Sequence, residues 1–146
     1  MNDHQESELE ALERILTDTS AAPAMLSFTV IKSITKNFSK EIGRGGFGVV
    51  YLGALRNGMV AVKMLSTLLD MEDKQFVDEI NCLIRAKHKN IVRLLGYCAD
   101  TQGEMMKFNG RYVLVDRRQR FLCFEYAHNG SLDSYLEEQG DILHQN

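Results

Sequence analysis

Three glycines and a lysine carry the chemistry that this sequence offers most plainly. Gly43, Gly45 and Gly48 lie in the run Ile42-Gly43-Arg44-Gly45-Gly46-Phe47-Gly48, and Lys63 follows on the next apolar stretch. Glycine lacks a Cβ, so its backbone N–H groups can come close to phosphate oxygens. A lysine within reach neutralises them. The spacing G-x-G-x-x-G also occurs in dinucleotide-binding folds, but there a helix follows at once and aims its N-terminus at the pyrophosphate. Here Val49, Val50, Tyr51 and Leu52 follow, and β-branched and aromatic residues read as strand. Arg56-Asn57-Gly58 supplies a turn, and Met59 to Leu65 reads as another strand. The glycines therefore form the tip of a β-hairpin, and a third strand carries Lys63. Ala61 and Lys63 point to the same face of that strand. The small Ala61 leaves room for a flat group beside the lysine, and Val50 covers it from the returning strand. The competing reading is a glycine-rich hairpin in an unrelated β protein.

Other elements must position these groups. Met71 to Lys89 reads as a helix whose apolar face carries Phe76, Ile80, Leu83 and Ile84. Glu79 shares that face, and a carboxylate turned toward a core is costly unless paired. Its own helix offers no cation three or four residues away. Lys63 is the candidate partner; the alternative is that Glu79 sits at the edge of the stripe and reaches water. Residues 1 to 18 read as an acidic amphipathic helix with Leu9, Leu12, Ile15 and Leu16 on one face. It is either a surface helix with one packed side or a partner-binding helix. Asp18 to Ser27 reads as a linker, and Phe28 to Phe38 has helical spacing. Asp100 to Arg120 holds Asn109-Gly110, a hairpin signal, between two candidate strands, Met105 to Phe108 and Arg111 to Val115. Asp116, Arg117, Arg118 and Arg120 read as a solvated charged face, the alternative being a binding site. Phe121 to Ala127 reads as a buried strand, broken by His128-Asn129-Gly130.

The glycine run through Val50, joined with Ala61-Val62-Lys63, resembles the protein kinases. Ile34 to Ser39 resembles the T-x-N-F-S lead-in of plant receptor-like kinases. His88 to Cys98 resembles their H-x-N-I-V-x-L-L-G-Y-C segment. Leu122 to Asp133 resembles their hinge, L-C-F-E-Y-x-x-x-G-S-L-D. The resemblance implies an α+β fold: a kinase N-lobe of five antiparallel strands with helix C, here with an added N-terminal helix and an extra hairpin between the fourth and fifth strands. It implies three regions: an N-terminal helix and linker over 1–27, the lobe and hinge over 28–136, and a polar tail over 137–146. It further implies ATP as ligand, with Lys63 and Glu79 as a phosphate-positioning ion pair. The ATP wall would comprise Ile42, Gly43, Gly45, Gly46, Gly48, Val50, Ala61 and Lys63. Phe124 would be the gatekeeper, the Glu125 carbonyl and Ala127 N–H would bond the adenine edge, and Leu132 would lie beneath the base. Leu83 and Leu94 would belong to the hydrophobic regulatory spine.

Composition bounds the rest. The 146 residues are 45 % hydrophobic and 25 % charged, ordinary for a soluble domain, and the net charge of −3 suggests neither nucleic-acid nor anionic-membrane binding. Cys82, Cys98 and Cys123 show no C-x-x-C spacing and read as reduced, buried thiols in a cytoplasmic protein. No apolar run is long enough to span a membrane. Within these residues there is no H-R-D-x-x-x-x-N, no D-F-G and no A-P-E. The magnesium ligands and catalytic base of a kinase are thus expected to be missing from this stretch. Three readings follow: the ATP-binding part of a serine/threonine kinase, a non-catalytic kinase-derived nucleotide or interaction module that engages protein partners or a receptor kinase, and a β-rich interaction domain without nucleotide. Without the second lobe, the underside of the sheet, with Val50, Ala61, Leu83, Leu94 and Phe124, is expected to face water.

Overall fold

The computed structural model describes residues 2–45, 48–65, 74, 76–78, 80–81 and 93–126. Helix α1 spans Asp3–Thr17. Its start is fixed by a capping box: the Gln5 N–H donates to Asn2 Oδ1 at 2.8 Å, and the Asn2 N–H donates to Gln5 Oε1 at 3.3 Å. Asp3 and Glu6 in the first turn suit the helix dipole. Leu12 and Ile15 are buried against the sheet, with Leu9 and Leu16 packed beside them. The helix therefore has the one packed side its periodicity indicated. Its C-terminal carbonyls converge on one cation: Arg93 donates to Ile15 O at 2.7 Å, Leu16 O at 3.2 Å and Asp18 O at 2.9 Å. Arg56 spans about two turns of the same helix, pairing with Glu6 at 2.9 Å and Glu13 at 2.7 Å, and its hydrogen bond holds the Glu13 carboxyl below the usual range.

The segment expected as a linker contains a strand. β1, Ala24–Met25, pairs in parallel with β5, Leu94–Cys98, through Ala24↔Gly96 and Met25↔Tyr97. Two residues have no readable period, which is why the sequence hid it. A Cβ on Gly96 would stand 3.0 Å from Ala24 O and 2.7 Å from Leu26 Cδ1, so glycine leaves room for both the β1 backbone and the Leu26 side chain.

Helix α2, Phe28–Ile34, is capped by Ser27, which is itself held by Glu8 through its N–H at 2.7 Å and its hydroxyl at 2.9 Å. The Phe28 N–H donates to Asp100 Oδ2 at 2.7 Å. After the helix, Lys36, Asn37 and Phe38 all adopt left-handed backbone, with φ of 50°, 58° and 58°. That conformation is costly for residues with a Cβ. Thr35 stabilises it: its hydroxyl donates to Ile31 O at 2.8 Å and accepts from the Phe38 N–H at 3.2 Å. The turn delivers the Phe38 ring to Phe28, Tyr51 and Phe121, at centroid distances of 6.1, 5.1 and 5.7 Å.

The remaining strands of the main sheet are β2, Glu41–Gly45; β3, Gly48–Leu55; and β4, Gly58–Leu65. A two-stranded ribbon follows β5, with β6 at Thr101–Phe108 and β7 at Arg111–Arg118, and β8 at Phe121–Glu125 returns to the sheet. The order is β1-β5-β8-β4-β3-β2. The five expected antiparallel strands are present, with β1 added at the edge. One face packs on α1 and α2 through Val60, Val62, Leu95, Phe121 and Cys123. The other carries Leu65, Leu94, Leu122 and Phe124 against Phe76 and Ile80, which are helical. Leu83 and Ile84 lie outside the described residues.

Cys98 and Cys123 are free and buried, and burial pushes their thiols up to about 11 and about 12. They stay protonated and unreactive near neutrality. Cys82 lies outside the described residues. Among these residues no helix is long and apolar enough to cross a membrane.

The ribbon turns at Asn109 and Gly110, whose φ of 50° and 79° match the Asn-Gly hairpin signal. Both strands extend further toward the ribbon's base than the sequence indicated. The charged patch also needs a correction. Arg120 is not solvated: it is buried, with its guanidinium 5.4 Å from the centre of the Phe76 ring and Nη1 donating to Ala99 O at 3.1 Å. A flat cation can stack on an aromatic face, so charge alone does not place an arginine in water.

Candidate functional site

The glycines sit where β2 turns into β3, through the pairs Gly43↔Val50, Arg44↔Val49 and Gly45↔Gly48. A register shift between Glu41 and Gly43 leaves Ile42 as the extra residue of a bulge. Gly48 has a structural reason to be glycine. Its φ is 147°, and a Cβ there would stand 2.0 Å from Met64 O. No side chain fits that gap, so β3 can lie closely on β4 only with a bare backbone at this point.

The lysine lies one strand further in. Val50 pairs with Lys63, and Lys63 with Leu122. Ala61 pairs with Leu52 and Phe124, and Phe124 with Leu94. Directly paired residues share a face, as do residues two apart on one strand. Val50, Ala61, Lys63 and Phe124 thus occupy one face of three adjacent strands, next to the glycine edge. Lys63 is only 4 % exposed and is not without a polar or electrostatic partner. Burial at that level demands one. Glu79, its expected partner, lies outside the described residues, as do Gly46, Ala127 and Leu132.

Glu125 pairs with Val60, so its side chain belongs to the opposite face. There its carboxylate meets Arg93 at 2.9 Å, while its N–H donates to Arg93 O at 3.0 Å. One arginine therefore connects the end of β8 with the carbonyl end of α1. No periodicity signals that connection, because it joins residues more than seventy positions apart.

One expectation fails here. Val50, Ala61, Leu94 and Phe124 do not face water: each is at most 4 % exposed. Leu94 and Phe124 pack with Phe76 and Ile80, so the helical segment already covers part of this face.

Chemically, the arrangement sets a buried cation beside a strand edge that only glycine can form, with a small residue and an aromatic ring on the same face. With Val50, Ala61, Lys63 and Phe124 each at most 4 % exposed, a flat group bearing an anionic tail would use this face only after its cover is displaced. The model for the family of protein tyrosine and serine/threonine kinases matches residues 36–146.

The chain belongs to the protein kinase family.

Its relatives are plant receptor-like kinases. A probable LRR receptor-like serine/threonine-protein kinase of Arabidopsis thaliana is 39 % identical over 117 residues, covering 80 % of this chain and 11 % of that protein. Cysteine-rich receptor-like protein kinase 45 of the same plant is 40 % identical over 107 residues, covering 73 % of this chain and 26 % of that one. The chain thus spans about a quarter or less of the length of these relatives. Among solved structures, an apo pseudokinase matches with a TM-score of 0.52 and 26 % identity, over 75 % of this chain and 37 % of that one. Protein kinases use ATP and magnesium. The glycine edge and Lys63 fit the phosphates of such a ligand. Among the described residues, no three His, Cys, Asp or Glu side chains gather to hold a metal ion, so no magnesium position is assigned to this kinase segment.

Proposed function

We propose that this chain supplies the ATP-binding side of a cytoplasmic protein serine/threonine kinase. One observation carries the reading: Lys63, Ala61, Val50 and Phe124 share a single face beside a glycine turn that tolerates no side chain. In this reading the backbone N–H groups near Gly43, Gly45, Gly46 and Gly48 approach the phosphates, with Ile42 and Val50 over the base. Lys63, positioned by Glu79, neutralises the phosphate charge. Ala61 admits the base, Phe124 closes its rear, and Glu125, Ala127 and Leu132 complete the adenine site. Magnesium, when bound, would supply charge neutralisation at the phosphates. The chain's own contribution is to bind and orient the nucleotide, while transfer to protein needs the catalytic and metal-binding motifs that these 146 residues do not contain.

A second reading is a kinase-derived module that binds nucleotide or a protein partner without catalysis. The pseudokinase neighbour favours it. Titration with a fluorescent ATP analogue tests the site. The chain is expected to bind weakly but saturably, and Lys63→Met to weaken binding by about tenfold, the worth of one charge-assisted contact. Absence of saturable binding would contradict the nucleotide site itself. With radiolabelled ATP, magnesium and a generic protein substrate, no transfer is expected from the 146 residues. Incorporation that disappears in Lys63→Met would contradict that division of labour. The product of the complete transcript, assayed alongside, separates the two readings: transfer supports the kinase, and its absence the non-catalytic module.

A further inference from the structure

The β6–β7 ribbon stands apart from the kinase site and forms its own two-stranded sheet. The register divides its apolar side chains between both faces. Met105, Leu114 and Tyr112 share one face and are 59, 67 and 70 % exposed. Met106, Val113 and Phe108 share the other and are 41, 45 and 64 % exposed. A lone two-stranded ribbon is marginally stable in water, and contiguous exposed apolar surface marks a site of interaction. The ribbon also departs from the chain in charge. Thr101–Arg118 holds four cations against two anions, while the whole chain carries −3.

What covers this surface is constrained by its shape. Each face offers only three or four apolar side chains, against about 20–30 residues a side in a stable protein interface. A second copy laid on one face buries too little, brings two basic ribbons together, and leaves the other face wet. A bilayer interface surrounds a narrow ribbon and covers both faces at once. We propose that the ribbon is a peripheral membrane-docking element that enters the headgroup region of an anionic phospholipid bilayer. The tip pair Phe108↔Arg111 and its neighbour Lys107↔Tyr112 set cations beside aromatic rings. That composition suits the interface, where rings sit at headgroup level and basic side chains reach lipid phosphates. The two strands have no neighbours beyond each other among the described residues, so their outer N–H and C=O groups must keep polar partners. Insertion therefore stops at the headgroup–acyl boundary, roughly 5–10 Å deep.

Sedimentation of the 146-residue chain with vesicles tests the proposal. Binding is expected to vesicles of phosphatidylcholine with about 30 % phosphatidylserine, and to fall by about tenfold or more on phosphatidylcholine alone or in Lys107→Glu/Arg111→Glu. Leu114→Asp and Phe108→Asp are expected to abolish it. Both side chains are exposed, so the thermal midpoint should hold and an unfolded variant would be recognised. No binding to anionic vesicles would overturn the proposal, as would equal binding by Leu114→Asp. So would a concentration-dependent dimer in sedimentation velocity that Leu114→Asp dissolves, which would assign the ribbon to a second copy.

Discussion

Phe121→Ala is expected to lower the unfolding free energy by about 3–5 kcal/mol, the range for emptying a buried aromatic site. Phe121 is fully buried at the start of β8, where it pairs with Met64 on β4 and Cys98 on β5. Its ring lies 5.8 Å from Phe28 and 5.7 Å from Phe38. Those two rings are carried by α2 and by the left-handed turn after it, each anchored by its own hydrogen bonds. The walls of the cavity therefore belong to separately held elements and cannot easily collapse into it. Urea unfolding checks this: the midpoint should fall while the denaturant slope stays unchanged. A loss below about 1 kcal/mol would mean that the aromatic cluster does not bind the N-terminal helices to the sheet.

Gly48→Ala is expected to damage both fold and ligand binding. The backbone region alone costs about 1–3 kcal/mol for a residue with a Cβ. The new methyl would also overlap Met64 O, so β3 and β4 must separate at the glycine turn. Gly110→Ala is the matched control. Gly110 also has positive φ, 79°, but nothing lies within 4 Å of its would-be Cβ. It should show the backbone cost alone and leave binding of the ATP analogue unchanged. In Gly48→Ala that binding should fall by more than tenfold relative to Gly110→Ala, because parting the strands displaces the N–H groups offered to phosphate. Equal binding by the two variants would separate the glycine turn from the ligand site.

The sequence disclosed the parts of this lobe that rest on local chemistry. Asn109-Gly110 specified its turn because few residue pairs adopt two successive left-handed conformations. The alternation of Ala61 and Lys63 placed both on one face because the strand period is two. Leu12 and Ile15 showed which side of α1 would be buried. What stayed hidden depends on partners far along the chain. Ala24 and Met25 become a strand only because β5 offers a free edge. Arg120 looked like a surface charge because nothing in its neighbourhood announces the Phe76 ring. Arg93 reads as one polar residue in an apolar segment, yet it joins α1 to Glu125. Val50 and Ala61 are buried although no H-R-D or D-F-G motif lies within these residues, because motif content says nothing of what packs on a sheet face. Of the site, the glycine turn, Val50, Ala61, Lys63 and Phe124 come together, while Glu79, Gly46, Ala127 and Leu132 fall outside the described residues.

The most direct test of the nucleotide face is an amide chemical-shift footprint of the ATP analogue on the isotope-labelled chain. The account predicts shifts concentrated on Gly43 to Val50, on Ala61 to Lys63 and at Phe124 and Glu125, with α1 and the β6–β7 ribbon unchanged. Shifts confined to α1 or the ribbon, or none along the glycine turn and Lys63 at saturation, would contradict it.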